Sequence, residues 1–174
     1  MSNIVMALAG NPNTGKTCIF NSLTGAKQHV GNWPGVTIEK KEGNIHYAGK
    51  FIKVVDLPGT YSLGAYSEDE VIAREFILNE KPDIVANVLD ATNLNRNLYL
   101  TVQMLEMGAN VLIALNMMDS AEKMNIDIDM EGLSSSLGVK IVPTVASKGQ
   151  GIDEIIKIVT ENSHFKSKTD FKID

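Results

Sequence analysis

Eight residues near the N-terminus, Gly10-Asn11-Pro12-Asn13-Thr14-Gly15-Lys16-Thr17, have the composition of a polyphosphate cradle. They match G-x-x-x-x-G-K-[ST]. An apolar run, Ile4 to Ala9, precedes them and a helical pattern from Thr17 to Leu23 follows, the context in which this spacing carries meaning. The glycines let the backbone curl round an anion. The ring of N–H groups and the helix N-terminus then bind phosphate oxygens. Lys16 would place a cation on the β- and γ-phosphates, and the Thr17 hydroxyl could ligate magnesium. Cys18 follows directly and is counted with the nucleotide-binding residues. As the one cysteine of the chain it has no disulfide partner, and it reads as a packing thiol rather than a redox or metal group.

Two further segments suit the phosphate end. Asp56-Leu-Pro-Gly59 closes the apolar run Phe51 to Val55, about 40 residues after Lys16. A carboxylate there can hold magnesium through its water shell, and Gly59 can bring a backbone N–H close to a γ-phosphate. Thr37, in the loop with Gly35 and Val36, can complete the magnesium shell when that phosphate is present. The catalytic set expected from these segments is Lys16, Thr37 and Gly59, and the metal set is Thr17, Thr37 and Asp56.

A third cluster suits a base. Asn116-Met117-Met118-Asp119 ends the run Val111 to Leu115 and matches N-x-x-D. A carboxylate accepts both the ring N1–H and the exocyclic amine of guanine. Adenine lacks that donor pair and would leave the carboxylate unpaired. Asn116 can tie this loop to the phosphate loop. Met117 stands where such motifs carry lysine, and keeps the apolar stem without the ammonium. Val145, Ala146 and Ser147 can offer backbone N–H groups to the guanine oxygen.

These groups need strand ends and helix starts to hold them. Strand patterns occur at 4–9, 38–47, 51–55, 84–89, 111–115 and 139–142, with helical ones at 17–23, 67–79, 94–107 and 152–159. Ser67 with Glu70 has capping-box spacing. A helical stretch after Asp119 breaks between Asn125 and Asp129. The stretch 31–35, holding Trp33, reads as a loop that either packs on the domain or serves as a lid or a partner contact. Near-continuous apolar strands alternating with helices predict an α/β fold: a mostly parallel six-stranded sheet, one antiparallel edge strand, and helices on both faces. The domain is expected over 1–162, followed by a polar linker over 163–174.

The whole-chain properties narrow the partners. With 174 residues and a net charge of −5, the chain suits one globular domain and argues against a nucleic-acid partner. No apolar run reaches the length of a membrane span. His29, His46 and His164 are isolated and show no metal-ligand spacing.

The motifs in this order resemble a Ras-like P-loop GTPase. Gly10 to Thr17, Val30-Gly-Asn-Trp-Pro-Gly-Val-Thr37, Asp56-Leu-Pro-Gly-Thr-Tyr-Ser-Leu63 and Asn116-Met-Met-Asp119-Ser-Ala-Glu-Lys123 resemble the N-terminal domain of the ferrous-iron transport protein B family. The resemblance implies GTP and GDP as ligands, with magnesium, and a switch that regulates or drives Fe(II) uptake. It also implies a helical domain and a membrane permease as partners in a longer protein, with this domain at the cytoplasmic face of the membrane. A small regulatory partner and a homo-oligomer are further candidate associations. Asn13 resembles the potassium-ligating asparagine of cation-activated GTPases, which implies a potassium ligand and adds Asn13 to the expected catalytic and metal sets; the other reading is that it favours the turn. Thr60 replaces the glutamine that orients water in Ras-type enzymes, and no arginine finger is evident in cis, so slow turnover is expected. Arg74 and Arg96 read as solvated surface residues. Competing readings are a soluble GTPase acting on RNA, an ATPase, and a binding module with negligible hydrolysis.

Overall fold

The computed structural model describes residues 3–162. The expected linker at 163–174, with His164, lies outside them. Seven strands, β1 (Asn3–Gly10), β2 (Gln28–Asn32), β3 (Glu39–Tyr47), β4 (Lys50–Asp56), β5 (Ile84–Asp90), β6 (Val111–Asn116) and β7 (Lys140–Pro143), form one sheet in the order β2-β3-β4-β1-β5-β6-β7. The five strands from β4 to β7 pair in parallel. β2 and β3 add an antiparallel edge, with β3 turning into β4 through Ala48 and Gly49.

The sheet therefore has one strand more than the six expected. The extra strand is β2, whose sequence Gln-His-Val-Gly-Asn lacks any apolar alternation and whose residues are mostly exposed. It pairs on one side only, with β3, so backbone bonding rather than burial holds it, and a reading of apolar patterns passes over it.

Six α-helices cover the sheet: α1 (Lys16–Thr24), α2 (Glu68–Glu75), α3 (Leu94–Glu106), α4 (Met118–Lys123), α5 (Met130–Leu137) and α6 (Ile152–Asn162). Alternation along β1 divides the core. Met6 and Leu8 pack with Ile19, Phe20, Ile155 and Val159 of α1 and α6. Ala7 and Ala9 face Ala73, Leu100, Met104 and Leu137 of α2, α3 and α5. Ser67 caps α2 by accepting from the Glu70 N–H at 3.2 Å, as its spacing predicts. The helix expected to run to Asn79 changes hydrogen-bond pattern after Glu75, becoming a π-helical turn over Phe76–Glu80. The break expected between Asn125 and Asp129 is present, and Asp129 starts α5 by accepting from the Gly132 N–H at 3.0 Å. No helix among the described residues is long and apolar enough to cross a membrane.

Parallel register brings the motif residues to one rim. Leu8 of β1 pairs with Asp56 of β4, and Asp90 of β5 with Asn116 of β6. The loops after β1, β4 and β6 therefore meet at the carboxyl edge of the sheet, where open α/β sheets bind ligands.

Candidate nucleotide site

The phosphate loop runs from the end of β1 into α1. Asn13 and Gly15 both have positive φ, 66° and 88°. The turn is closed by the Thr14 hydroxyl donating to the Asn11 carbonyl at 3.0 Å. Gly15 is required for space as well as conformation, because a Cβ there would stand 2.2 Å from Asn116 Nδ2. Helix α1 begins at Lys16 with no side-chain cap. Its first-turn N–H donors and positive dipole end thus border the loop. A cavity of about 820 Å³ opens here, lined by Asn11, Pro12, Asn13, Gly15, Lys16, Thr17, Cys18, Asn21, Ser22 and Gly59. Asn11 is buried with neither side-chain amide atom partnered.

Lys16, which lines this cavity, forms a direct ion pair through its Nζ with Asp56 Oδ1, both side chains being largely buried. Burial pushes the Asp56 carboxyl above its ordinary range. Lys16, and more distantly Lys41, pull it back in part, and Glu39 adds to the rise. The segment after Asp56 is fastened to the phosphate loop. Leu57 N–H donates to the Leu8 carbonyl at 2.9 Å and Thr60 N–H to the Gly10 carbonyl at 3.1 Å. A Cβ on Gly59 would lie 3.4 Å from Pro12, so its backbone rides close over the loop. Thr60 is buried. Arg74 and Arg96 are exposed, as expected, but Arg96 also stacks 5.0 Å over the Tyr61 ring.

The loop carrying Gly35, Val36 and Thr37 lies apart from the cavity. Thr37 is exposed and does not line it. Trp33 takes the packed alternative: it is buried, meets Phe76 edge-on at 5.8 Å, and carries Lys40 Nζ 4.7 Å above its ring. This loop thereby leans on the π-helical turn after α2.

Asn116 joins the base loop to the phosphate loop. Its Nδ2 donates to the Thr14 carbonyl at 2.9 Å, while its Oδ1 accepts from Thr144 Oγ1 and from Ala146 N–H, both at 3.0 Å. Met117 adopts φ 62°. Its Cε comes within 4.0 Å of the Cβ position of Gly15, so the methionine lies against the phosphate loop as an apolar stem would. Asp119 is half-buried; its Oδ1 accepts from Ser120 N–H at 2.9 Å and its Oδ2 pairs with Lys148 Nζ at 3.8 Å. Of the three small residues expected near a base, Val145 N–H is bonded to the Gln150 carbonyl and Ala146 N–H to Asn116, whereas Ser147 is exposed. Lys148 was not singled out by its spacing. A basic residue directly after the Val145–Ser147 segment was the available signal.

The donor set fits hard cations. Thr17 supplies a hydroxyl on the cavity wall and Asp56 a carboxylate reached through Lys16, matching magnesium's preference for a few protein oxygens completed by phosphate and water. Asn13, exposed and in the left-handed region at the cavity mouth, supplies an amide that suits a monovalent cation. Among the described residues no group of three or more His, Cys, Asp or Glu side chains gathers as a metal site.

A phosphate loop between the first strand and first helix, an Asp-x-x-Gly turn fastened to it, and an Asn-x-x-Asp loop hinged on the same loop define a Ras-like P-loop domain. The profile of the family described as "Ferrous iron transport protein B" matches residues 4–159, and the chain belongs to that family as its N-terminal G domain. The Fe(2+) transporter FeoB of Escherichia coli strain K12 is 50% identical over 159 residues, covering 89% of this chain but 21% of that protein. The G domain of FeoB from Methanococcus jannaschii superposes with a TM-score of 0.85 at 52% identity, covering 94% of this chain and 99% of that one. The cytosolic domain of FeoB from T. maritima in a GDP form gives a TM-score of 0.92 at 42% identity, covering 99% of this chain and 68% of that one.

Proposed function

We propose that this domain binds GTP and GDP with magnesium, hydrolyses GTP slowly, and through its nucleotide state regulates or drives Fe(II) uptake by an attached membrane permease at the cytoplasmic face. The observation that carries the base assignment is the Asn116 hinge: it fixes the loop presenting Asp119 to the loop presenting Lys16, so base and phosphate are read as one unit. The partners in this reading are a helical domain and permease of the longer protein, with a small regulatory protein and a second copy as further candidates. Nucleic acid is not among them.

With nucleotide bound, Lys16 would exchange the Asp56 carboxylate for β- and γ-phosphate oxygens, and Asp56 and Thr17 would be free to hold magnesium, with Thr37 as a further ligand once its loop, which here lies apart from the cavity, moves onto the site. Magnesium held there, with potassium on Asn13, would neutralise charge developing on the phosphates. Water attacks the γ-phosphorus in line, the bond to the bridging oxygen breaks, and the proton leaves to solvent. Gly59 N–H and the phosphate-loop amides orient the reacting groups. Thr60 is buried and tied by its backbone to Gly10, so its side chain does not take the glutamine's part. Turnover on the scale of Ras alone, roughly 10⁻⁴ per second, follows. Release of phosphate frees the Thr37 and Gly59 contacts and the loops relax.

The test is GTP turnover with magnesium, in potassium and in sodium at matched ionic strength, for wild type and Asn13→Ala. Faster hydrolysis in potassium, lost in the variant, supports cation activation. Equal slow rates in both salts assign Asn13 to the turn alone. Intact GTP over hours with tight binding favours a nucleotide-gated binding module, the reading that the burial of Thr60 also supports.

A further inference from the structure

We infer that Lys148 is a specificity-positioning residue: its ammonium holds the Asp119 carboxylate in the orientation that reads guanine. The inference rests on the base-reading role proposed for Asp119 and deepens it. Such a carboxylate must present two oxygens in one plane to two adjacent N–H donors. Left to rotate, it loses that two-point fit. Here each oxygen is engaged by a different element. Oδ1 accepts from the Ser120 N–H at 2.9 Å, and Oδ2 pairs with Lys148 Nζ at 3.8 Å. A carboxylate oxygen has more than one acceptor direction, so both contacts leave room for base donors.

The position of Lys148 is itself fixed. It closes the turn Ala146–Lys148, with its N–H donating to the Val145 carbonyl at 3.0 Å. Gly149 ends that turn at φ 69°. The turn is bonded to Asn116 through Ala146 N–H, and Val145 pairs with Gln150 at its base. The backbones carrying Lys148 and Asp119 are therefore held side by side by the same asparagine that joins the base loop to the phosphate loop, which puts the two side chains within reach of each other. The chain also explains why a cation is wanted from this side: the position before Asp119 that could carry one is Met117, which packs towards Gly15 instead. Among the described residues, Lys148 is the cation paired with Asp119.

The test compares GDP with IDP, whose base lacks the exocyclic amine, by calorimetric titration of wild type, Lys148→Ala, Lys148→Arg and Lys148→Met. Because the pair is partly exposed, the expected effect is a drop of about threefold in the preference for GDP over IDP in Lys148→Ala. Lys148→Arg restores the preference, and Lys148→Met, which keeps the stem but not the charge, behaves like alanine. The drop should shrink in high salt. An unchanged preference in Lys148→Ala, or a wild-type preference in Lys148→Met, overturns the inference. Asp119→Ala separates the two layers: if it leaves the GDP preference intact, the base reading fails and the inference with it.

Discussion

Truncating Asn116 to alanine removes the hinge between base and phosphate loops, and its cost follows from the bonds it makes. The side chain donates once and accepts twice, at 2.9, 3.0 and 3.0 Å. It is buried, and so are its partners Thr14, Thr144 and Ala146. Alanine would leave the Thr14 carbonyl, the Thr144 hydroxyl and the Ala146 N–H without their partner. Each orphaned buried group costs about 1–3 kcal/mol, and because the three share one side chain the sum is less than additive, about 3–5 kcal/mol. For a domain of this size each kcal/mol lowers the melting temperature by about 2–4 °C, so Asn116→Ala should melt roughly 10 °C lower. Urea unfolding at neutral pH reads the free energy, with a calorimetric scan beside it. A loss below about 1 kcal/mol, with the melting temperature unmoved, would show that water replaces all three bonds and that the hinge is not structural.

Gly15→Ala should fail more locally. Its Cβ would need the space of Asn116 Nδ2, at a positive φ, so nucleotide binding should fall at least tenfold in a fluorescence titration while the domain still folds. Phe76→Ala removes the edge-on partner of Trp33 and should cost about 3 kcal/mol by denaturant unfolding. The emission of Trp33, the chain's one tryptophan, should shift to the red in that variant. Burial raises the Glu42 carboxyl, but Lys40 at 3.0 Å and Lys53 at 3.6 Å outweigh this and hold it below the ordinary carboxylate range. A lowered carboxyl adds stability above its unfolded value and loses it as pH falls through the folded one. Glu42→Gln should therefore cost under about 1 kcal/mol at neutral pH, with the difference vanishing in acid. A constant difference down to the acid limb would refute the ion-pair account.

The parallel core was legible because β1, β5 and β6 are buried almost throughout and, with β4, read as near-continuous apolar runs, broken only by Lys53 in β4 and Asn87 in β5. The glycine-lysine loop, Asp56 and Asn116 were legible because strand ends and fixed spacing mark them. β2 was not, since an edge strand held by backbone bonds need carry no apolar pattern. The π-helical turn was invisible too: Phe76 and Ile77 continue the helical burial, and only the hydrogen-bond pattern changes. The sequence left Trp33 as a lid, a partner contact or a packed residue, and the choice of packing came chiefly from Phe76, far from it in sequence, with Lys40 of the next strand over its ring. The Lys16–Asp56 pair joins two residues each expected to meet nucleotide or metal, and their mutual attraction is a property of the folded geometry. Lys148 belongs to the same class: it became a candidate when the loops were seen side by side.

In the proposed function, one unit tied together by Asn116 reads guanine and polyphosphate together. The most direct measurement is calorimetric titration of this domain, with magnesium, against GDP, GTP and ATP. The account predicts saturable one-to-one binding of GDP and GTP and no measurable binding of ATP at the same concentration. ATP binding as tight as GTP, or a domain that binds neither guanine nucleotide, would contradict it.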